Sequence, residues 1–505
     1  MRICIVPLAA AVLFPLTSLA DEGHSHHSHG AHDLGNIGSA HLETSCNAAA
    51  QQEIDRGVAL IHSFWYREAD LAFRRAADAD RRCGMAWWGS AMSQLHPLWA
   101  PPTPEELRAG IESAAKAKQV GASTPRERAF IDAIATYYTD AGELPHATRM
   151  QAYEKTMAEV ARANPGDDEA QIFHALALLG IASPSDKTYR HQKQAAEILN
   201  RILPKQPEHP GIAHYLIHSF DYPELAELAL PAARAYAKLA PGSPHALHMP
   251  SHIFTRLGLW DESISSNLAS AEKARRYSEA TNPGVTGFDE LHARDYLVYA
   301  YLQKGDVERA GELVRQTAAI KQMDQGHFAT AFAVAAIPAR FALERGDWKQ
   351  ASELAVPSFV DWSKVPYAEA NIHFARGIGG ARAGKPDVAK EASARLAAIR
   401  QTLMEQKNAY WADQVEIQRL SVDAWTAHEA GQHDEALALM RKAADLEAAT
   451  EKHPVTPGAI LPAHEQLAEM LLQKGDRQAA FAAIERVLHD APHRRNAEQL
   501  AARLR

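Results

Sequence analysis

From Asn47 to residue 505, apolar residues recur three and four positions apart, and few stretches alternate with a period of two. Short breaks that contain glycine or proline separate these segments. A spacing near 3.6 residues is typical of amphipathic helices that bury one face. We therefore predict that residues 46–505 form one all-α array without a β-sheet.

A turn motif recurs between the predicted helices. It consists of a glycine, an aspartate within the next three positions and, in later copies, an alanine five positions after the glycine. The copies begin at Gly258, Gly305, Gly346, Gly431 and Gly475. One helix pair cannot bury its apolar face alone, so such repetition predicts stacked pairs with a continuous core. The motif resembles the turn of the tetratricopeptide (TPR) repeat, in which two helices are closed by a proline.

The resemblance to TPR proteins implies an α-solenoid, curled in some members around a central groove. It also implies that the first helix of each pair lines the concave surface, where TPR proteins bind their ligands. The HxxxH pairs and the segment HALHMPSHIFTRLG (residues 245–258) are similar to those of a group of exported bacterial TPR proteins. This second likeness implies the fold and the position of a site, and no particular reaction.

Five histidines lie in two consecutive copies of one unit, in which the pair His214 and His218 recurs 34 residues later as His248 and His252. Histidines four apart lie on one face of a helix, which is a metal-ligand spacing. His245 precedes the second pair and shares its face. We predict a single metal site formed by His214, His218, His245, His248 and His252.

The same histidines have two other interpretations: buried packing residues, or a site for an anion or substrate. Neither histidine segment carries partner acids, so unshielded imidazoles in one groove would destabilise the fold unless a metal ion joined them. Imidazole ligands suit Cu(II), Zn(II) or Ni(II), and affinity order favours copper while availability favours zinc. Copper or zinc is therefore the predicted metal cofactor. Three histidines with an open position would suit catalysis, and four a closed site.

Three residues of the next unit are candidates for catalytic chemistry, because His292, Asp295 and Tyr299 have the same spacing as His245, His248 and His252. His292 is a further ligand or a proton-transfer group, and Tyr299 a substrate contact. Asp295 is the expected acceptor for a ligand imidazole. If the solenoid curls, other polar and aromatic residues converge on the same groove, although packing or surface roles are favoured for each alone. These residues are His62, His96, Trp99, Arg340, His373 and the loop 452–454.

Motifs of the common enzyme classes are missing: there is no G-x-S-x-G elbow, Walker A loop, HExxH or C-x-x-C-H sequence. Whether the chain is an enzyme therefore stays open. One hypothesis is a metal site in the concave groove, used for metal-dependent chemistry or metal handling. The alternative is an interaction scaffold without catalytic activity, which holds a peptide or small molecule in the groove.

The first 20 residues read as a secretory signal, with Arg2, an apolar stretch from Ile3 to Leu16 and a small-residue cleavage site. We expect a periplasmic or secreted protein. The apolar stretch is too short to span a bilayer, and no later segment is long enough. A net charge of -9 and the lack of a basic stripe argue against nucleic acid as a partner.

Residues 21–45 are rich in histidine, serine, glycine and alanine, and this composition predicts disorder. Its histidines either capture metal loosely or belong to a solvated linker. The histidines concerned are His24, His26, His27, His29 and His32. Export permits a disulfide between Cys46 and Cys83, which we predict in preference to a reactive thiol pair.

Overall fold

The computed structural model describes residues 34–505. The predicted signal sequence, and the predicted disordered segment up to residue 33, lie outside the described residues. Residues 35–505 form one unit.

Residues 34–505 contain 24 α-helices and no β-strand; one isolated bridge pairs Thr286 with Met323. The all-α prediction is therefore confirmed. The first twelve helices are α1 (Ala48–His62), α2 (Tyr66–Ala79), α3 (Gly84–Met92), α4 (Pro104–Val120), α5 (Pro125–Tyr138), α6 (His146–Ala163), α7 (Asp168–Gly180), α8 (Arg190–Ile202), α9 (Pro210–Phe220), α10 (Ala226–Leu239), α11 (Pro244–His248) and α12 (Pro250–Arg256). The other twelve are α13 (Trp260–Thr281), α14 (Phe288–Lys304), α15 (Val307–Ala318), α16 (Phe328–Glu344), α17 (Trp348–Ser352), α18 (Pro366–Arg382), α19 (Pro386–Glu405), α20 (Ala409–Glu429), α21 (His433–Ala448), α22 (Ala463–Lys474), α23 (Arg477–Asp490) and α24 (Arg495–Leu504).

Consecutive helices pack against each other as pairs, and the first helices of neighbouring pairs also pack together, as α14, α16, α18 and α20 do. α11 and α12 together act as one first helix, which is interrupted at Pro250 because proline has no N–H to donate. This arrangement is a TPR-like α-solenoid. None of the helices described is both long enough and apolar enough to cross a membrane.

The recurring turn motif explains how the helix pairs form. Gly305 and Gly475 adopt φ values of 78° and 91°, which glycine reaches without the steric cost of a Cβ. The following residues, Asp306 and Asp476, then accept a hydrogen bond from a backbone N–H in the first turn of the next helix. Each motif therefore ends one helix and starts its partner.

Residues 35–45 differ from the predicted disordered segment, because they pack on the solenoid. Leu42 is fully buried, and its N–H donates to Asp55 Oδ1 at 3.3 Å. The N–H of Gly242 donates to the carbonyl of Asn36 at 2.7 Å. The packed unit therefore begins before residue 46. Its first apolar residues lie in a segment whose overall composition predicts disorder.

Distant parts of the chain pack against the helices that carry the histidines. α1 packs against α9, and α24 packs against α14. The loop between α21 and α22 reaches the same region, where the N–H of Glu451 donates to the carbonyl of Pro184 at 3.0 Å. Lys452 of this loop lies 3.4 Å from Asp221, directly after α9. Three parts of the array therefore surround the helices that carry the histidines.

Cys46 and Cys83 are joined by a disulfide in the structure, with their Cα atoms 5.1 Å apart. The bridge connects the residues that precede α1 and α3, and so ties the first helix pair to the second.

We predict that replacing both cysteines with serine lowers the free energy of unfolding by about 3 to 4 kcal/mol, because the bridge restrains the unfolded chain. Urea unfolding of the oxidised protein and of the Cys46→Ser/Cys83→Ser variant measures this difference. A reductant should bring the unmodified protein to the stability of the variant and leave the variant unchanged. Equal stability of the two oxidised proteins would refute the prediction.

Candidate functional site

Six buried histidines lie on the first helices of three consecutive pairs, and the structure divides them into two groups of three. Cluster A consists of His214 and His218 of α9 and His245 of α11. Cluster B consists of His248 at the end of α11, His252 of α12 and His292 of α14. Within each cluster one nitrogen per ring lies within 4.8 Å of the others.

Cluster A depends on the close approach of α9 to the end of α1. α9 begins with Pro210 and Gly211, and a Cβ at Gly211 would lie 2.7 Å from Nδ1 of His62. Glycine therefore permits this contact, which brings Nδ1 of His214 to 2.7 Å from the carbonyl oxygen of His62. A carbonyl can only accept, so Nδ1 of His214 carries the proton and its Nε2 presents a lone pair.

Two other imidazoles approach that lone pair. Nε2 of His218 and Nε2 of His245 each lie 3.1 Å from Nε2 of His214. A single lone pair cannot accept a well-aligned hydrogen bond from both rings. A cation placed among the three nitrogens would satisfy all of them.

In cluster B, hydrogen bonds at Nδ1 fix the tautomers of two histidines. Nδ1 of His248 lies 2.6 Å from Oδ1 of Asn267, whose amide nitrogen donates to the carbonyl of Ser263 at 2.8 Å. The amide is thereby oriented with its oxygen toward His248. Nδ1 of His252 lies 2.9 Å from Oδ2 of Asp221. Both Nδ1 atoms therefore donate a proton, and both Nε2 atoms present lone pairs.

Those two lone pairs face each other, because Nε2 of His248 and Nε2 of His252 are 3.0 Å apart. Nε2 of His292 is also buried and has no hydrogen-bond partner among the described residues. A shared cation, either a proton or a metal ion, stabilises such an arrangement. Two nitrogens 3.0 Å apart and about 2.0–2.1 Å from a shared ion subtend about 95° at that ion, an ordinary coordination angle.

Burial disfavours the proton. It is the largest cause of the lowered pKa of each of the six imidazoles, and it brings the pKa of His218 to about 3. Neighbouring imidazoles act in the same direction, as His248 does on His292. The six rings are therefore neutral near pH 7, which is the form that binds metal ions.

The carboxylate that orients His252 is itself held by two cations. Arg256 Nε donates to Asp221 Oδ1 at 2.9 Å, and Lys452 Nζ lies 3.4 Å from Oδ2. Although burial acts to raise the pKa of Asp221, Lys452 and Arg256 hold it well below the usual value. Asp221 therefore stays ionised and keeps the proton of His252 on Nδ1.

Asp295 and Tyr299, which the sequence places at the histidine site, have other contacts in the structure, and two other residues take their expected positions. Asp295 pairs with Arg340, whose Nε lies 3.3 Å from its Oδ1, so Asp221 rather than Asp295 orients a cluster histidine. Tyr299 lies beneath the guanidinium of Arg340, 4.9 Å from its ring centre. Tyr296 instead contacts the histidines, with its hydroxyl 3.4 Å from His252.

A change in repeat length explains why Tyr296, and not Tyr299, contacts the histidines. The unit of α11, α12 and α13 is longer than the unit of α9 and α10 because of the 22-residue helix α13 and the turn after it. His292 therefore corresponds to His248, 44 residues earlier, rather than to His245. Tyr296 takes the position that His252 takes in the preceding unit. The four-residue spacing from His292 to Tyr296 was the signal in the sequence.

Aromatic side chains from early in the chain cover both clusters. The ring of Phe64 lies 4.3 Å from that of His214, between ring centres. Trp99 contacts both clusters, at 5.7 Å from His245 and 5.4 Å from His292. Trp99 therefore lies beside the histidines of both clusters.

The other outlying histidines serve different contacts. His62 and His209 both hydrogen-bond to the buried carboxylate of Glu169, at 3.0 and 2.9 Å. One carboxylate accepts from both rings, although Nδ1 of His209 has no hydrogen-bond partner among the described residues. The group fixes the end of α1 against which His214 is held. His96 and His373 face Glu106 and Glu369, at 3.8 and 3.1 Å.

A cavity of about 200 Å³ adjoins cluster A. His218, Asp221 and Lys452 lie in its wall, together with Tyr222 and Pro97. It gives a small molecule or an ion a route toward His218, which is the most exposed of the six histidines at 8%.

No protein-family model matches the sequence, and no curated protein is significantly similar to it. Solved structures with a similar fold include Cut9 in the APC/C hetero-tetramer Cut9–Hcn1, at 12% identity and a TM-score of 0.38, over 90% of this chain and 76% of that chain. A cap-bound monomeric IFIT1 mutant is 13% identical with a TM-score of 0.36, over 91% of this chain and 97% of that chain. The P58(IPK) TPR domain is 12% identical with a TM-score of 0.22, over 90% and 97%. At these scores the likeness carries no argument about function.

We predict that Asp221→Asn weakens metal binding by about 10- to 100-fold, because the ionised carboxylate no longer orients His252. Competition with a coloured chelator measures the affinity. Asp295→Asn is the matched control, since Asp295 is also buried and also pairs with an arginine but contacts Arg340 instead of a cluster histidine. Equal effects of the two substitutions would contradict the assigned role of Asp221.

The metal-free protein should lose stability as the pH falls from 7 to 5. The pKa of His218 is about 3 in the folded protein and about 6.5 in the unfolded chain, so the unfolded state binds more protons in this window. His218 alone should account for about 2 kcal/mol by pH 5. Urea unfolding at several pH values tests this, and His218→Ala should have a shallower dependence. Constant stability from pH 7 to pH 5 would contradict it.

Proposed function

We propose that this protein binds transition-metal ions through the six histidines of clusters A and B, for metal-dependent chemistry or metal handling. The observation that carries the proposal is the pair of lone pairs on His248 and His252, which face each other at 3.0 Å. Asn267 and Asp221 fix both ring tautomers, so neither histidine can relieve this contact by moving its proton to Nε2.

The ligand chemistry favours copper or zinc. Every nitrogen offered by the two clusters belongs to a neutral imidazole, and the nearest carboxylate, Asp221, faces Nδ1 of His252 instead of the ion position. Imidazole ligands suit Cu and Zn, whereas oxygen ligands suit Mg and Ca. The proposed cofactor is therefore copper or zinc.

Two features support chemistry at the bound metal in addition to storage. Three imidazoles leave a coordination position open, as in catalytic metal sites. The cavity of about 200 Å³ beside His218 gives a small molecule access to that side of cluster A.

We also propose that the protein is exported to the periplasm or secreted. The signal-like sequence of residues 1–20 supports this location, and so does the disulfide between Cys46 and Cys83, since disulfides persist in oxidising compartments.

The second candidate function, a scaffold that holds a peptide, is favoured by a different cavity. This cavity is also about 200 Å³ in volume and is lined by Asn371, Gln418 and Trp411. The side chains of Asn371 and Gln418 hydrogen-bond to each other at 2.8 Å. The amide nitrogen of Asn371 and the amide oxygen of Gln418 then have no hydrogen-bond partners among the described residues. A free donor beside a free acceptor complements a peptide group.

We predict that His218→Ala and His248→Ala each lower the metal affinity by orders of magnitude while the helical content stays nearly unchanged. Elemental analysis after dialysis against a weak chelator measures the metal, and circular dichroism measures the helices. His373→Ala is the matched control, because His373 is a buried histidine of a first helix that faces Glu369 instead of either cluster.

Two results would contradict the proposal. If the unsubstituted protein binds no metal, the scaffold function is favoured. If His218→Ala and His248→Ala unfold the protein while its metal content is retained, the histidines are packing residues and the ion belongs to the histidine-rich segment near the N-terminus.

A further inference from the structure

We propose that clusters A and B each bind their own metal ion, so that the protein holds a pair of neighbouring ions rather than one. This inference rests on the proposed function and extends it. Its basis is that each cluster has its own unmet requirement for a cation.

The two requirements are independent. In cluster A, the lone pair of His214 faces the Nε2 atoms of two other rings at 3.1 Å. In cluster B, the lone pairs of His248 and His252 face each other at 3.0 Å, and Nε2 of His292 has no partner among the described residues. A single ion in one cluster would leave the other cluster unsatisfied.

The groups that orient the rings are also separate. The carbonyl oxygen of His62, at the end of α1, orients His214 in cluster A. Asn267 of α13 and Asp221 after α9 orient the rings of cluster B. No orienting group is shared, which is the arrangement expected of two sites that bind their ions independently.

The clusters are nevertheless adjacent. The ring centres of His245 and His248 are 6.3 Å apart, and those of His218 and His252 are also 6.3 Å apart. An ion lies about 3 Å from the centre of an imidazole that binds it, so the two ions would be roughly 12 Å apart at most. Two Cu(II) ions at such a separation broaden each other's electron paramagnetic resonance (EPR) signals.

The division of the histidines follows from the chain. His245 and His248 are three residues apart in α11, and rings at this spacing point about 60° apart around the axis of a regular helix. His245 therefore joins the rings of α9, while His248 turns toward His252 and α14. One five-residue helix thus supplies a ligand to each cluster.

The experiment uses the full chain with the five histidines of residues 24–32 changed to serine, so that the N-terminal segment contributes no metal. The protein is loaded with Cu(II), and weakly held copper is removed with a weak chelator. We expect two copper ions per chain and an EPR signal broadened by their interaction. His245→Ala and His292→Ala should each retain one ion and give the narrow signal of isolated Cu(II). His373→Ala should retain two ions.

The outcomes separate this inference from the proposed function. One ion per chain in the unsubstituted protein would overturn the pair of ions and leave the metal-binding function standing. No ion would overturn both. Two ions that persist in His245→Ala and His292→Ala, or two ions with narrow signals, would place copper outside adjacent clusters and overturn the inference. If an alanine variant fails to fold, His245→Asn and His292→Asn provide the same comparison with a polar side chain retained.

Discussion

The hydrogen bond from His252 to Asp221 is the interaction on which the site depends most. It holds the proton of His252 on Nδ1 and directs the lone pair of Nε2 toward His248. Arg256 and Lys452 keep Asp221 ionised inside the protein, although burial alone would favour the protonated acid. A buried carboxylate with two cations thus fixes a tautomer, and the tautomer creates a position that attracts a metal ion.

The packing of the solenoid brings these groups together. α9 supplies two histidines, α11 and α12 supply three, and α14 supplies one, while Lys452 comes from a loop more than 230 residues after Asp221. The end of α1 holds His214 through a backbone carbonyl. Because the ligands and the groups that orient them come from different repeats, the site requires the packed array and is absent from any single helix pair.

The sequence predicts the elements that depend on local chemistry. The turns at Gly305 and Gly475, the helical pairs and the histidine faces follow from spacing alone. The alignment of the next unit does not, because the unit of α11, α12 and α13 is longer than the one before it, which aligns His292 with His248 and Tyr296 with His252. The role expected of Asp295 belongs to Asp221, which follows α9. The covering contact of Trp99 likewise depends on how distant repeats pack together, which residue spacing does not determine.

The central claim is that a metal ion lies between Nε2 of His248 and Nε2 of His252. Anomalous diffraction from crystals of the copper-loaded protein, collected on both sides of the copper absorption edge, tests it most directly. The account predicts an anomalous peak about 2.0–2.1 Å from both nitrogens. A map without a peak between the two rings, with the copper bound elsewhere or not at all, would contradict the account.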